Sequence, residues 1–274
     1  VNALWMRQLT GMLRLELRKS LLSRRGWWIY LLALAPVALS VAHWLLQSGR
    51  PSTRHSLGED SMVFAGLFQL YYLRLGIFFG CVGIFSNQFR GEMLEKTLHY
   101  YYLTPVRREL LVAGKYIAGL AAALLLFVGS VTACFLTLSR HFGPAFSDYL
   151  WSGPGLGQLG WYMTTTALAC IGYGAVFMLC GLLFRNPLIP AVVVMIWEEI
   201  NPFLPALLKK ISVIFYLKSL CPVEVPVPGP LALIVIMADP TPVWLAITGL
   251  LAVAALVLAY AGLSARRAEI SYSE

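Results

Sequence analysis

The chain alternates between long apolar stretches and short polar ones. Six stretches stand out: Trp27 to Leu46, Ser61 to Phe89, Glu109 to Leu138, Leu159 to Phe184, Pro187 to Phe203 and Pro242 to Leu263. Crossing the hydrocarbon core of a bilayer as a helix takes roughly 20 apolar residues, so each stretch reads as a membrane span. A transmembrane barrel would instead show alternating segments of about 10 residues, and none are present. The expected fold is all-α integral membrane, with six transmembrane helices. The second and third stretches exceed the minimum length, so they tilt or project beyond the bilayer. There is no internal repeat, and the outer loops are too short to fold alone. Residues 1–274 therefore read as a single transmembrane domain.

Three connecting regions carry patterns of their own. In residues 1–25, Trp5, Leu9, Met12, Leu13 and Leu17 recur at helical spacing along one side, and Arg7, Arg14 and Arg18 along the other. This predicts an interfacial helix with its cations toward lipid headgroups; Glu16 falls on the apolar side, against the pattern. Residues 204–241 hold LPALLKKISVIFYLKSLCP and PGPLALIVIMADP, both apolar, short and bounded by prolines. Apolar segments of about 10–14 residues are more often interfacial or re-entrant than spanning. They are expected on the outer side, dipping into the bilayer; an extra pair of spans is the alternative. In residues 91–104, a helix gathers Leu94, Leu98, Tyr101 and Tyr102 on one face and Glu95, Lys96 and His99 on the other. Pro105 cannot continue that helix but suits the first turn of a new one, and Thr104 can cap it. The product is a short cytoplasmic helix joined rigidly to the third span. A solvated loop with its tyrosines in the interfacial aromatic belt is the alternative.

Composition agrees with the pattern. Hydrophobic residues make up 59% and charged residues 12%, against about 25% charged in a soluble domain. The net charge of +8 would point to nucleic acid in a soluble protein; here it follows from basic loops on one side of a membrane. With a cytoplasmic N-terminus, 14 of the 21 lysines and arginines fall inside, 6 outside, and one, Arg74, within a span. That bias puts both termini in the cytoplasm and the chain in the inner membrane. The basic N-terminal region is too long, and the apolar run behind it too long, for a removable signal peptide.

Candidate chemistry is sparse. Cys81, Cys134, Cys170 and Cys180 fall in apolar runs, and Cys221 in a loop without an evident partner. His43, His55, His99 and His141 look scattered, so no metal site is expected. Gly76, Gly80 and Gly83 on the second span allow close helix packing, either within the chain or between two copies. The charges inside spans are more pointed. Arg74 lies 14 residues before Gln88, about 21 Å from the cytoplasmic end, and Glu198 about 16 Å from the same end. Intramembrane charges usually pair or face a cavity. Arg74 is therefore expected to meet Glu198 or Glu199 inside the bundle, with the other acid facing the pathway or an outer vestibule. The alternative has Arg74 reaching outward and both acids at the outer surface.

The stretch EKTLHYYYLTPVRRELLVAGK, Glu95 to Lys115, resembles the signature of ABC-2-type transporter permeases. In that family an acidic residue precedes a Thr-Leu pair, then come a Thr-Pro-Val corner, basic residues and a Gly-Lys entering the third span. LELRKSLLSRRGWW is similar to the family's connecting, or elbow, helix, and the six-span plan matches over essentially the whole chain. Two departures are Lys96 in place of a common glycine and the tyrosine triplet in place of aliphatics. The resemblance implies that residues 91–104 form the coupling helix, which fits a groove on a separate ABC ATPase subunit. Glu92, Glu95, Leu98 and Tyr102 would carry that contact, with Arg107 and Arg108 at the corner. It implies further that two copies, or this chain and a related permease, enclose the pathway. The chain itself holds no cofactor; ATP and Mg belong to the partner ATPase.

The sequence supports that division of labour. It has no G-x-x-x-x-G-K-[ST] loop; the pair Gly114-Lys115 lacks both the first glycine and the following Ser or Thr. The chain is thus not an ATP-hydrolysing enzyme of that type. A gradient-driven secondary transporter is the alternative, although such proteins usually carry internal repeats. For an intramembrane enzyme only Glu198-Glu199 offers acid–base chemistry. Lipids, glycans, peptides and drugs all stay open as substrates.

Overall fold

The computed structural model describes residues 11, 13, 15–20, 26–47, 56–94, 108–223, 225 and 241–267. Among these residues the fold is all-helical. Five helices are long and apolar enough to cross a membrane. They are α1 (Trp27–Gln47), a composite second helix, α4 (Arg108–Leu138), α6 (Gly155–Leu183) and α10 (Val243–Arg267). The composite helix is α2 (Leu57–Leu67), a π-helical segment Phe68–Gly76 and α3 (Ile77–Leu94). Between α4 and α6 the chain makes a 3-10 turn, passes Gly143 with its positive φ of 58°, and forms the short α5 (Pro144–Trp151).

The fifth apolar stretch departs from the sequence reading. It is not one long helix. It forms α7 (Leu188–Ile200) and a 3-10 turn, Asn201–Phe203, and beyond it follow α8 (Ala206–Lys209) and α9 (Val213–Ser219). With 13 residues, α7 spans only about 20 Å. The prolines explain the break. Leu204, directly before Pro205, is extended at φ −82° and ψ 154°, as the steric demand of a following proline requires. The predicted re-entrant region 204–241 thus contains α8 and α9, while residues 226–240 lie outside the described residues.

α6 is the central helix: α3, α4, α9 and α10 pack on it, and α1 packs on α4. Its close approach to α3 depends on Gly181, where a Cβ would come within 2.7 Å of the Ser86 backbone. Of the three glycines predicted on the second span, Gly80 receives the Phe127 ring from α4 and Gly83 the Trp28 ring from α1. Both therefore serve packing within the chain. Gly76 lies against Tyr71 of its own helix.

Pro36 sits inside α1, where it lacks an N–H and leaves the Leu32 carbonyl, four residues earlier, without its helical partner. Side chains of neighbouring helices bond to the backbone here. Tyr71 Oη donates to the Leu32 carbonyl at 3.0 Å, and Ser130 Oγ donates to the Ala33 carbonyl. Tyr72 Oη is 2.8 Å from the same Ser130 hydroxyl. Such repair is what allows proline within a membrane helix, and here it fixes the π segment against α1 and α4. The outer faces carry exposed Leu31, Leu34 and Leu39 on α1, Ile189, Val193 and Ile196 on α7, and Leu256 and Leu263 on α10. Lipid tails are as apolar as these side chains, so such exposure suits a bilayer.

Candidate functional site

The bundle has two ends. The base carries residues 15–20, Gln88 and the start of α4; the top carries the end of α1, the start of α2 and the end of α4. Midway between them, the π segment holds Arg74. Stretches of π-helix are rare and frequently mark functional sites. Arg74 Nη1 donates to Glu199 Oε2 at 2.5 Å, across 125 positions of sequence. The expected pairing is present, but not inside the bundle: the pair is open, with side chains 25% and 45% exposed. Lys218 on α9 lies within electrostatic reach of Arg74, Glu199 and Glu198.

Glu198 does something else. It is 8% exposed and accepts from Ser212 Oγ at 2.5 Å, Val213 N at 3.0 Å and Ile214 N at 2.8 Å. The two amides are unpaired donors of the α9 N-terminus, which favours an acidic partner. The expectation that the acid not paired with Arg74 would face a pathway or vestibule is corrected here: Glu198 is a buried helix cap. Nearer the top, Gln69 Nε2 donates to the Val223 carbonyl at 2.9 Å. The chain beyond α7 therefore continues from the level of Arg74 to that of Gln69.

At the base, Lys115 on α4 and Glu16 form an ion pair of 2.6 Å whose side chains are 0% and 2% exposed. The Lys115 ammonium also lies 5.6 Å from the centre of the Phe89 ring. Glu16, the acid that disturbed the amphipathic pattern of the N-terminal helix, is turned inward for this contact. Sequence reasoning missed the pair, although both partners were visible as misfits: an acid on an apolar face and a lone lysine within an apolar helix. Beside them is a cavity of about 260 Å³, lined by Lys19, Trp28, Ser86, Gln88, Arg90 and Pro187 among others. The start of α7 thus lies level with Gln88.

The predicted coupling residues bracket the same end. Glu92 is in the last turn of α3 and Arg108 opens α4. Glu95, Leu98, Tyr102 and Arg107 lie outside the described residues.

At the top, the reading of the histidines as scattered needs correction. His43 from α1 and His141 from the turn after α4 come together with Asp60 of α2; His55 and His99 lie outside the described residues. Hydrogen bonding holds the helices at this end as well, with Ser40 Oγ 2.6 Å from Thr137 Oγ1.

A family model described as ABC-2 family transporter protein matches residues 12–199. The match covers more than half of the chain and includes both ion pairs, and the chain belongs to this family. No curated protein matches it.

Proposed function

We propose, from its membership of the ABC-2 transporter family, that the chain is the permease subunit of an ATP-driven exporter. Two copies, or this chain and a related one, enclose the substrate pathway, and separate ATPase subunits dock at the base. ABC-2 proteins are multi-pass membrane transport components that normally pair with an ATPase subunit.

The observation that carries the pathway is the open Arg74–Glu199 pair. A charge at the bilayer centre costs about 2.5–3.5 kcal/mol on insertion scales, and such residues face a bundle interior or water. On the single chain this pair is exposed. The face that bears it is therefore closed by a second permease or wetted by the pathway, and lipid does not cover it.

In this reading α7, α8 and α9 together make a sixth crossing, interrupted at the depth of Arg74. Non-helical backbone at that depth is tolerated only where protein buries it or water reaches it; the capping of α9 by Glu198 meets that demand. Six crossings place both termini at the base, and the 14-to-6 distribution of basic residues makes the base cytoplasmic. An interrupted span also occurs in gradient-driven transporters, which keeps that alternative alive; family membership weighs against it.

Coupling to the ATPase falls to Glu92, Glu95, Leu98 and Tyr102, with Arg107 and Arg108 at the corner. The sealed Lys115–Glu16 pair ties the elbow helix to α4 just behind that corner. Leu98→Asp tests the docking, because it forces an unpaired carboxylate into an apolar contact. Expected is loss of a co-purifying ATPase subunit, and of substrate-stimulated ATP hydrolysis, from a chain that still inserts. Unchanged hydrolysis with unchanged co-purification rejects the coupling role.

A further inference from the structure

We propose that His43, Asp60 and His141 bind a divalent transition-metal ion, with zinc the best match, at the top of the bundle. One ligand atom from each lies within 4.8 Å of the others. The residues come from three separate elements: α1, the first turn of α2, and the 3-10 turn that follows α4.

An acid in the first turn of a helix has an ordinary explanation in the helix dipole. The N-terminus of α2 is already served, however, by a capping box between Ser56 and Glu59. Asp60 instead turns inward. Its side chain is 9% exposed, and its Oδ2 has no hydrogen-bond partner. His141 Nε2 lies 3.9 Å from it, too far for a hydrogen bond.

The other nitrogen of that ring decides what Nε2 offers. His141 Nδ1 lies 3.2 Å from the Leu138 carbonyl oxygen, which can only accept, so Nδ1 carries the proton. In the neutral ring Nε2 is then a bare lone pair, 3.9 Å from a carboxylate oxygen. Two acceptors face each other without a donor, and the arrangement calls for a cation. Metal-binding histidines are commonly oriented in this way, with the free N–H given to a backbone carbonyl. His43 stands edge-on to His141, ring centroids 5.3 Å apart, and supplies the third ligand.

The donor set chooses the metal. Two imidazoles and one carboxylate suit zinc, cobalt, nickel or copper, whereas magnesium and calcium prefer oxygen. Three protein ligands leave a fourth position for water or for a group on an incoming ligand. Bonds of about 2.0–2.2 Å place the donors of a tetrahedron about 3.3 Å apart, so the side chains close by roughly 1 Å on binding. The ion would staple α1, α2 and α4 at one end.

The test uses the full chain in detergent, stripped with chelator and free of any histidine tag. Zinc is titrated calorimetrically, and cobalt serves as the spectroscopic probe. Expected are one ion per chain, a melting temperature that rises with zinc concentration, and cobalt absorption of tetrahedral type. Asp60→Asn should fold, because the carboxylate it removes has no hydrogen bond to lose. Its metal-free melting temperature should equal or exceed the parent's, and zinc affinity should fall about 100-fold, the upper end of what even outer partners cost. His43→Gln and His141→Gln should lose affinity likewise. A direct pair between Asp60 and a protonated His141 predicts the opposite: Asp60→Asn melts lower without metal and binds zinc unchanged. That result, or no stoichiometric zinc binding at micromolar concentration, overturns the proposal.

Discussion

Two ion pairs of nearly equal length stand at two depths of this bundle, and their surroundings differ completely. At the base, Lys115 and Glu16 meet at 2.6 Å with 0% and 2% of their side chains exposed. At mid-depth, Arg74 and Glu199 meet at 2.5 Å with 25% and 45% exposed. The base pair is closed by its own chain, with Phe89 beside the ammonium. The mid-depth pair is only partly covered by its own chain. Distance therefore says little about role. A sealed pair works in a low dielectric, where each charge depends on the other. An open pair within a membrane takes its environment from whatever covers it, and so points to a partner or a pathway.

The sharpest way to break this comparison is to remove one charge from the sealed pair. Glu16→Ala removes the carboxylate 2.6 Å from the buried Lys115 ammonium, and breaking a buried pair typically costs about 3–5 kcal/mol. The expected result is a large drop in melting temperature in detergent, with new protease cleavage near residues 15–20. Replacing both partners, as in Glu16→Leu with Lys115→Met, should recover most of the loss, because an apolar pair avoids the desolvation of two ions. If Glu16→Ala melts like the parent, the base pair is wet and the contrast fails.

An intermediate effect is expected at Glu198, the acid beside the open pair. Glu198→Ala removes the acceptor for Val213 N and Ile214 N and for Ser212 Oγ, at about 1–3 kcal/mol for buried donors left unpaired. Glu198→Gln keeps one acceptor oxygen and should lose less. Hydrogen exchange at Val213 and Ile214 should accelerate in the Ala variant. Unaltered exchange there would mean that Glu198 does not cap α9.

How much of this the sequence revealed depends on how local each feature is. Apolar length is local, and five predicted spans match helices within a few residues; α1 runs Trp27–Gln47 against an expected Trp27 to Leu46. The fifth stretch, Pro187 to Phe203, ends where α7 and its 3-10 turn end, but the 13 residues of α7 are too few for a span on their own. The pairing of Arg74 was narrowed to two acids because few charges occupy the spans. The choice of Glu199 was not legible, since it turns on the α9 N-terminus claiming Glu198. Nothing in the residues Phe68–Gly76 announces a π-helix. The meeting of His43, Asp60 and His141 comes from tertiary topology, which places three helix ends side by side.

The smallest effect on stability, and the one that best sharpens the comparison, is expected at the open pair. Exposed pairs contribute about 0.2–1 kcal/mol, and in detergent water or detergent headgroups can solvate either charge. Arg74→Glu should therefore melt close to the parent. Transport should respond far more if the pair lines the proposed pathway, since two like charges then face each other. A loss of roughly tenfold, equivalent to about 1.4 kcal/mol in the barrier, is expected in reconstituted vesicles. Adding Glu199→Arg restores the opposite charges and should recover part of the rate. Adding Glu198→Arg should not, because that position is occupied with capping α9 and a cation there meets the N–H groups of Val213 and Ile214. Rescue by Glu198→Arg alone would show that the wrong acid has been assigned to Arg74. If instead Arg74→Glu destabilises as much as Glu16→Ala, the mid-depth pair is as sealed as the basal one, and its exposure no longer argues for a pathway.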